Sequence, residues 1–456
     1  MTFLARENTI AKEGYNRWKV TLAALSIHLC IGQIYAFSVF NQPLTKVNGI
    51  TESAASDWKL TTLGWIFSIA LFFLGASAAI FGKWMERVGP RKAMFVSALC
   101  FSSGFMISAL GVYLHIIWLL YLGSGVIGGI GLGLGYISPV STLIKWFPDR
   151  PGMATGMAIM GFGGGAMIAS PLSVFLMKQF SNVQSVGVTQ TFVVMGCLYF
   201  LLMMFGSFIV RVPAENWKPK GFDSTKATKG KLITQSHVLA DEAIKTPQFY
   251  LLFGVLMLNV TAGIGVLGQA SVMIQELFSV ESVGASKAIN ATSAAGFVML
   301  LSFFNMAGRF IWSSLSDKIG RKNTYTIFFT LGILLYSTIP SIGGSGSVFL
   351  FIAAFAVIIS MYGGGFATIP AYLRDLFGTK QVGAIHGRLL LAWSMAAILG
   401  PVIINYMRQY QIEVQGLPKS QVYSTTMYVM AGLLVIGLIC NLLVKPVDVK
   451  HNLKED

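Results

Sequence analysis

Apolar runs long enough to cross a bilayer constrain this chain more than any other feature. Twelve of them, bounded by charges or by Gly and Pro, occupy about 19 to 41, 60 to 83, 93 to 113, 117 to 144, 154 to 178, 190 to 210, 248 to 275, 289 to 313, 324 to 343, 347 to 373, 384 to 407 and 423 to 444. A helix needs roughly 20 apolar residues to cross a hydrocarbon core about 30 Å thick, and most runs reach that length. Inside lipid the backbone must satisfy its own hydrogen bonds, and unbroken runs of this length do so as helices. The expected fold is an all-α membrane protein with twelve transmembrane helices. Composition agrees: 54% of residues are hydrophobic and 11% charged, where soluble domains carry about 25% charge. A soluble fold and intrinsic disorder are excluded.

Six runs precede and six follow residues 211–246, the long polar, Lys-rich stretch. The expected organisation is a tail (1–18), a six-helix half (19–210), a linker (211–246), a second six-helix half (247–444) and a tail (445–456). With both termini cytoplasmic, 26 of the 33 Lys and Arg residues fall on the inside and six outside, as the positive-inside rule requires. This implies a multi-pass protein of the cell (cytoplasmic) inner membrane, with tails and linker in the cytoplasm. The rule also accounts for the net charge of +15, which is scattered between apolar runs and forms no stripe, so nucleic acid is not an expected partner. Cys30, Cys100, Cys197 and Cys440 lie apart within apolar runs with no His at ligand spacing, so neither a metal nor a cofactor is expected. The polar start lacks the pattern of a signal peptide, and the first helix is expected to remain in the mature protein. Catalytic triads, HExxH and phosphate loops are missing from the sequence, and an enzyme is not expected. Gly161-Phe162-Gly163-Gly164-Gly165-Ala166 fits a relaxed dinucleotide fingerprint, but no strand precedes it; small residues there let helices approach.

An internal repeat supports two related halves. Gly82-Lys83-Trp84-Met85-Glu86-Arg87-Val88-Gly89-Pro90-Arg91-Lys92 follows the second run, and Ser313-Ser314-Leu315-Ser316-Asp317-Lys318-Ile319-Gly320-Arg321-Lys322 follows the eighth. Acid, base, Gly and Arg-Lys recur in one order at the same point of each half, as in a transporter with pseudo-symmetric halves. A tight Gly turn is expected to hold each acid near neighbouring helix ends, leaving the basic residues at the headgroups. Glu86, Arg87, Arg91, Asp317, Lys318 and Arg321 are therefore the expected gating residues.

These two segments resemble the signature loops of the major facilitator superfamily, with Glu86 for the usual Asp and Ser313 for the usual first Gly. Along nearly the whole chain the sequence further resembles the oxalate/formate antiporter family. The matching segments include Ile34-Tyr35-Ala36-Phe37-Ser38, Lys145-Trp146-Phe147-Pro148-Asp149-Arg150, Thr246-Pro247-Gln248-Phe249, Gly308-Arg309 and Asp375-Leu376-Phe377-Gly378-Thr379. The resemblance implies a secondary transporter of small carboxylates, with pyruvate, lactate or formate favoured, working by alternating access as antiport or proton symport. Its expected partners are a small organic anion, the bilayer and, for symport, protons; a monomer is expected. Oxalate/formate exchange is the alternative, and a transporter-like nutrient sensor a distant one.

Arg309 is the basic residue that topology does not explain. A guanidinium in a membrane helix is costly unless it faces a cavity or a partner, or snorkels to the headgroups about two turns away. The resemblance implies the first, with Arg309 holding the substrate carboxylate. Asn305, one helical turn earlier, is placed to donate to the anion or to steady the fork. Tyr35 and Tyr136 match anion-facing positions of the family; Tyr362 replaces a tryptophan there, Phe162 and Phe366 replace tyrosines, and Trp393 stands where the oxalate transporter has a second cation. Mid-helix Asp or Glu is missing, which leaves the substrate itself, His28 as a weak candidate, or no coupled proton, while His386 and Arg388 are expected at the interface.

Overall fold

A computed structural model describes residues 3–215, 217–219, 221, 232–234, 236–284 and 288–453. The expected linker therefore falls partly, and the last three residues wholly, outside the described residues. The described residues contain twelve helices long and apolar enough to span a membrane. They are α1 (Trp18–Leu44), α2 (Leu60–Val88), α3 (Pro90–Tyr113), α4 (Ile117–Trp146), α5 (Pro151–Phe180) and α6 (Val188–Ile209), then α7 (Pro247–Leu277), α8 (Ala291–Ile319), α9 (Arg321–Gly344), α10 (Val348–Phe377), α11 (Val382–Glu413) and α12 (Ser424–Leu443). Each matches one apolar run. Large apolar side chains such as Ile80, Trp118, Leu201, Leu334 and Phe349 stay exposed on the helices, a surface that only lipid can solvate at this scale.

The boundaries differ instructively at the repeat. The apolar runs end at Lys83 and Ser313, short of Glu86 and Asp317, yet α2 continues to Val88 and α8 to Ile319. A single glycine makes each turn: Gly89 has φ 86° and Gly320 φ 87°. That left-handed conformation is open to glycine at little cost, so the next helix starts at once, and Glu86 and Asp317 sit on the last helical turns. α1 tightens into 3₁₀ geometry over Gly32–Phe40, α4 opens with a π-helical stretch over Tyr121–Ile127, and α11 is interrupted at Leu390.

Packing follows a two-fold pattern. Within the first half α1 packs on α5, α2 on α4 and α3 on α6; within the second α7 packs on α11, α8 on α10 and α9 on α12. Between the halves α2 meets α11, and α8 meets α5. Adding six to each label maps one set onto the other, the pseudo-symmetry that the repeat foretold.

Close approach between helices depends on missing side chains. At Gly308 of α8, a Cβ would lie 2.1 Å from the backbone oxygen of Ser360 on α10, whereas at Gly432 on α12 it would meet nothing within 4 Å. We expect Gly308→Ala to cost about 2 kcal/mol of stability and Gly432→Ala to be neutral. Thermal unfolding of the detergent-solubilised protein checks this; equal midpoints for the two variants would contradict the packing.

Candidate functional site

Arg309 projects from α8 and is fully buried, which rules out snorkelling to the headgroups. Its Nε donates to Asn305 Oδ1 at 3.1 Å, and Nη1 donates to the Ile159 carbonyl of α5 at 3.3 Å. Nη2 has no hydrogen-bond partner among the described residues. Asn305 thus holds the fork through its carbonyl oxygen. The guanidinium carbon lies 5.4 Å from the ring centroid of Phe366, 5.6 Å from Phe162 and 5.9 Å from Tyr35. Ring faces attract a cation but do not accept its N–H groups fully, so the charge is only partly compensated.

The rings form one continuous cluster drawn from both halves. Tyr35 on α1 stands edge-on to Phe162 on α5 at 5.1 Å, and Tyr136 on α4 contacts Phe162 at 5.4 Å and Trp393 on α11 at 5.6 Å. Phe366 on α10 lies 4.5 Å from Trp393 and 5.4 Å from Tyr362. All eight residues expected to bind substrate therefore come together. The hydroxyls of Tyr35, Tyr136 and Tyr362 and the Trp393 indole N–H are buried without a hydrogen-bond partner among the described residues. A buried donor left unpaired costs about 1–3 kcal/mol, and several of them beside a half-satisfied guanidinium make a place for an acceptor-rich anion.

Two histidines join this cluster, and one corrects an expectation. His386 is 1% exposed and packs 5.8 Å from Tyr136, so it lies in the interior and not at the interface. No sequence signal marks this, because His386 falls in the first turns of α11, where polar residues usually meet headgroups. His28, 5.6 Å from Tyr136 on the other side, has Nδ1 3.1 Å from the Ala24 carbonyl of its own helix. Arg388 does reach the surface, pairing with Asp241 at 2.6 Å. Asn259 on α7 was missed: it is buried, its Oδ1 is unpaired, and it abuts Gly365 beside Phe366. An amide in the middle of an apolar run was the available signal.

Two of the expected gating acids join the halves at one end of the bundle. Asp317 at the end of α8 accepts from the N–H groups of Gly152 and Met153, both at 2.8 Å, at the start of α5 in the other half. Glu86 at the end of α2 accepts from Gly383 N at 3.1 Å at the start of α11 and pairs with Lys145 at 2.6 Å. Each acid caps a helix N-terminus across the interface, where free N–H groups and the helix dipole favour an anion. Arg321 pairs with Asp317 and, at 3.1 Å, with Asp375, which Arg374 also reaches at 3.0 Å. Higher up, Thr155 Oγ1 donates to Ala367 O at 2.6 Å and Ser394 Oγ to Leu71 O at 2.8 Å.

Three expected gating residues do otherwise. Arg91 is buried and donates to the carbonyls of Phe3, Asn8, Phe208 and Val210, tying the N-terminal segment to the end of α6 within one half. Its would-be acid, Asp149, is engaged by both guanidinium nitrogens of Arg17, at 2.6 and 3.0 Å. Arg87 and Lys318 are exposed, and neither forms an ion pair among the described residues. Asp241, by contrast, was not foreseen: it accepts from Lys83 of α2 and Arg388 of α11, which hold its carboxyl down to about 2. The clasp between these helices is thus ionised throughout the neutral range and is lost only as pH falls toward that value.

The family model of the Major Facilitator Superfamily matches residues 23–401 and 301–455. The uncharacterised MFS-type transporter YhjX of Escherichia coli is 26% identical over 388 residues, 84% of this chain and 86% of its own. The oxalate:formate antiporter of Oxalobacter formigenes is 25% identical over 386 residues, covering 84% and 83%. Apicoplast pyruvate carrier 1 of Toxoplasma gondii is 24% identical over 430 residues, covering 85% and 76%. In fold, the E. coli fucose:proton symporter superposes with a TM-score of 0.65 at 12% identity over 93% of this chain and 97% of its own. With its twelve spans, its two-fold packing and a profile match over nearly its whole length, the chain belongs to the Major Facilitator Superfamily and is a transporter of small molecules, not an enzyme.

Proposed function

We propose that the protein carries small monocarboxylates, of the pyruvate, lactate or formate class, by alternating access between its halves. One observation carries this reading: a fully buried guanidinium with Nη2 unpaired and no ion pair among the described residues, surrounded by buried hydroxyl and indole donors. Arg309 is proposed to take the carboxylate in a forked bond, Asn305 to position the fork, and Tyr35, Tyr136 and Tyr362 to donate to the anion. Phe162, Phe366 and Trp393 would pack its tail. A monoanion leaves a neutral pair, whereas a dianion keeps one charge unpaired in a dry site, which costs several kcal/mol even after relaxation. Two relatives, named as an oxalate:formate antiporter and a pyruvate carrier, support carboxylates as the class. The antiporter relative also favours oxalate/formate exchange as the second reading.

In this account the linker face is cytoplasmic, residues 211–246 connect the halves 19–210 and 247–444, and the protein works as a monomer in the cell (cytoplasmic) inner membrane. Glu86 and Asp317 hold the cytoplasmic side shut while the anion is exchanged with the outside. The two modes, antiport and proton symport, differ in whether net uptake follows a pH gradient without counter-substrate.

Three outcomes follow for reconstituted protein. Arg309→Lys keeps the charge and loses the fork, about 2 kcal/mol or roughly thirtyfold in apparent affinity; near-normal uptake of labelled pyruvate would remove Arg309 from the site. Asp317→Asn and Glu86→Gln loosen the cross-half caps and should change turnover severalfold while half-saturation stays close to that of the unmodified protein; the reverse pattern would place these acids at the substrate. In competition, pyruvate or lactate should displace labelled substrate at lower concentration than oxalate, and Trp393→Lys should narrow that gap. Oxalate winning by more than about tenfold in the unmodified protein would favour the exchange reading.

A further inference from the structure

The two gates are built on one repeat but are not electrically equivalent. At the α8/α5 gate, Asp317 and Asp375 pair with Arg321 and Arg374, and only Lys318 and Arg150 stay without an ion pair among the described residues. At the α2/α11 gate, Glu86 is taken by Lys145, and Lys83 by Asp241. The acid that would match Asp375, Asp149, is diverted to Arg17. What remains is an open cavity of about 480 Å³ lined by Arg6, Lys83, Glu86, Arg87, Lys380 and Gln381. Arg87 and Lys380 have no acidic partner among the described residues, and Arg6 makes one long bond of 3.4 Å, to the Glu86 carbonyl. Arg87 belongs to α2 of the first half, and Lys380 lies just before α11 of the second. Three uncompensated cations thus face one water-accessible space astride the seam at which the halves must part.

We propose that this cavity binds a phosphate-bearing anion, which supplies the negative charge that Asp375 supplies at the other gate. Several charges on tetrahedral oxygens suit three convergent cations better than a single carboxylate does, and the volume admits a phospholipid head group or a soluble di- or triphosphate. Bridging Arg87 and Lys380, the anion ties the halves together on the linker face and slows the opening of that side. The site is a regulatory one, separate from the Arg309 cluster.

Binding is measured first, without transport. Isothermal titration of the purified full-length protein with tripolyphosphate should give saturable binding that Arg6→Gln and Lys380→Gln each weaken about fivefold, about 1 kcal/mol per exposed charge contact. Lys178→Gln, a cation at the opposite end of the bundle, should leave it unchanged. Counterflow of labelled pyruvate is then compared in phosphatidylcholine vesicles with and without phosphatidylglycerol, and with tripolyphosphate on the linker side. Slowing by phosphatidylglycerol alone identifies a lipid head group as the source, slowing by tripolyphosphate alone a soluble phosphate, and either supports the site provided that Lys380→Gln relieves it. Absent binding, binding that the Lys178 variant weakens as much as the Lys380 variant, or measurable counterflow that neither anion slows would overturn the proposal; with no pyruvate counterflow at all, the titration alone decides. Because titration does not depend on uptake, failure of the carboxylate reading leaves this result legible.

Discussion

The buried charge of Arg309 is the constraint to which the rest of the structure answers. A guanidinium in the middle of a lipid-spanning bundle costs several kcal/mol unless its donors are met. Here Asn305 and the Ile159 carbonyl meet two of its nitrogens, and three aromatic rings surround its faces. Nη2 is left over. The residues around it come from α1, α4, α5, α8, α10 and α11, so the charge sits where both halves contribute walls and neither owns the site. In the proposed reading, a carboxylate arriving there would complete a hydrogen-bond set that the described residues leave incomplete.

The gates depend on the same economy of charge. Each half ends a helix with an acid on its last turn, reverses the chain with a single left-handed glycine, and presents that acid to a helix N-terminus of the other half. Such contacts are strong enough to hold a closed face and weak enough to break in turnover, since each exchanges protein N–H groups for water. The repeat has diverged in its arginines. Arg321 serves its gate, while Arg91 has been recruited to fasten the N-terminal segment. With Asp149 held by Arg17, and Arg6, Arg87 and Lys380 lining one cavity, the α2/α11 side is the richer in positive charge.

Much of this was legible in the sequence because hydropathy acts on whole segments. Lipid fixes the length and backbone of a spanning helix, so twelve apolar runs became twelve helices with small shifts at the ends. The site was legible where residues departed from that rule: Arg309 and Asn305 stand out because the membrane penalises them. The aromatic members did not, since Phe162, Phe366 and Trp393 are ordinary in a bilayer, and only the family resemblance singled them out. His386 and Asp241 escaped for a different reason. Whether a residue at a helix end faces headgroups, core or another helix is set by tertiary packing, and neither neighbours nor period in the sequence encode it. Arg91 shows the limit of repeat symmetry, because its partner in space is decided by where Arg17 and the N-terminal segment lie.

The most direct test of the account is a structure of the protein determined with pyruvate bound. The account predicts a carboxylate within hydrogen-bonding distance of Arg309 Nη2, its methyl group against Phe162, Phe366 or Trp393, with Asn305 still accepting from Nε. An anion seated elsewhere, with Nη2 turned onto a protein acceptor, would contradict it.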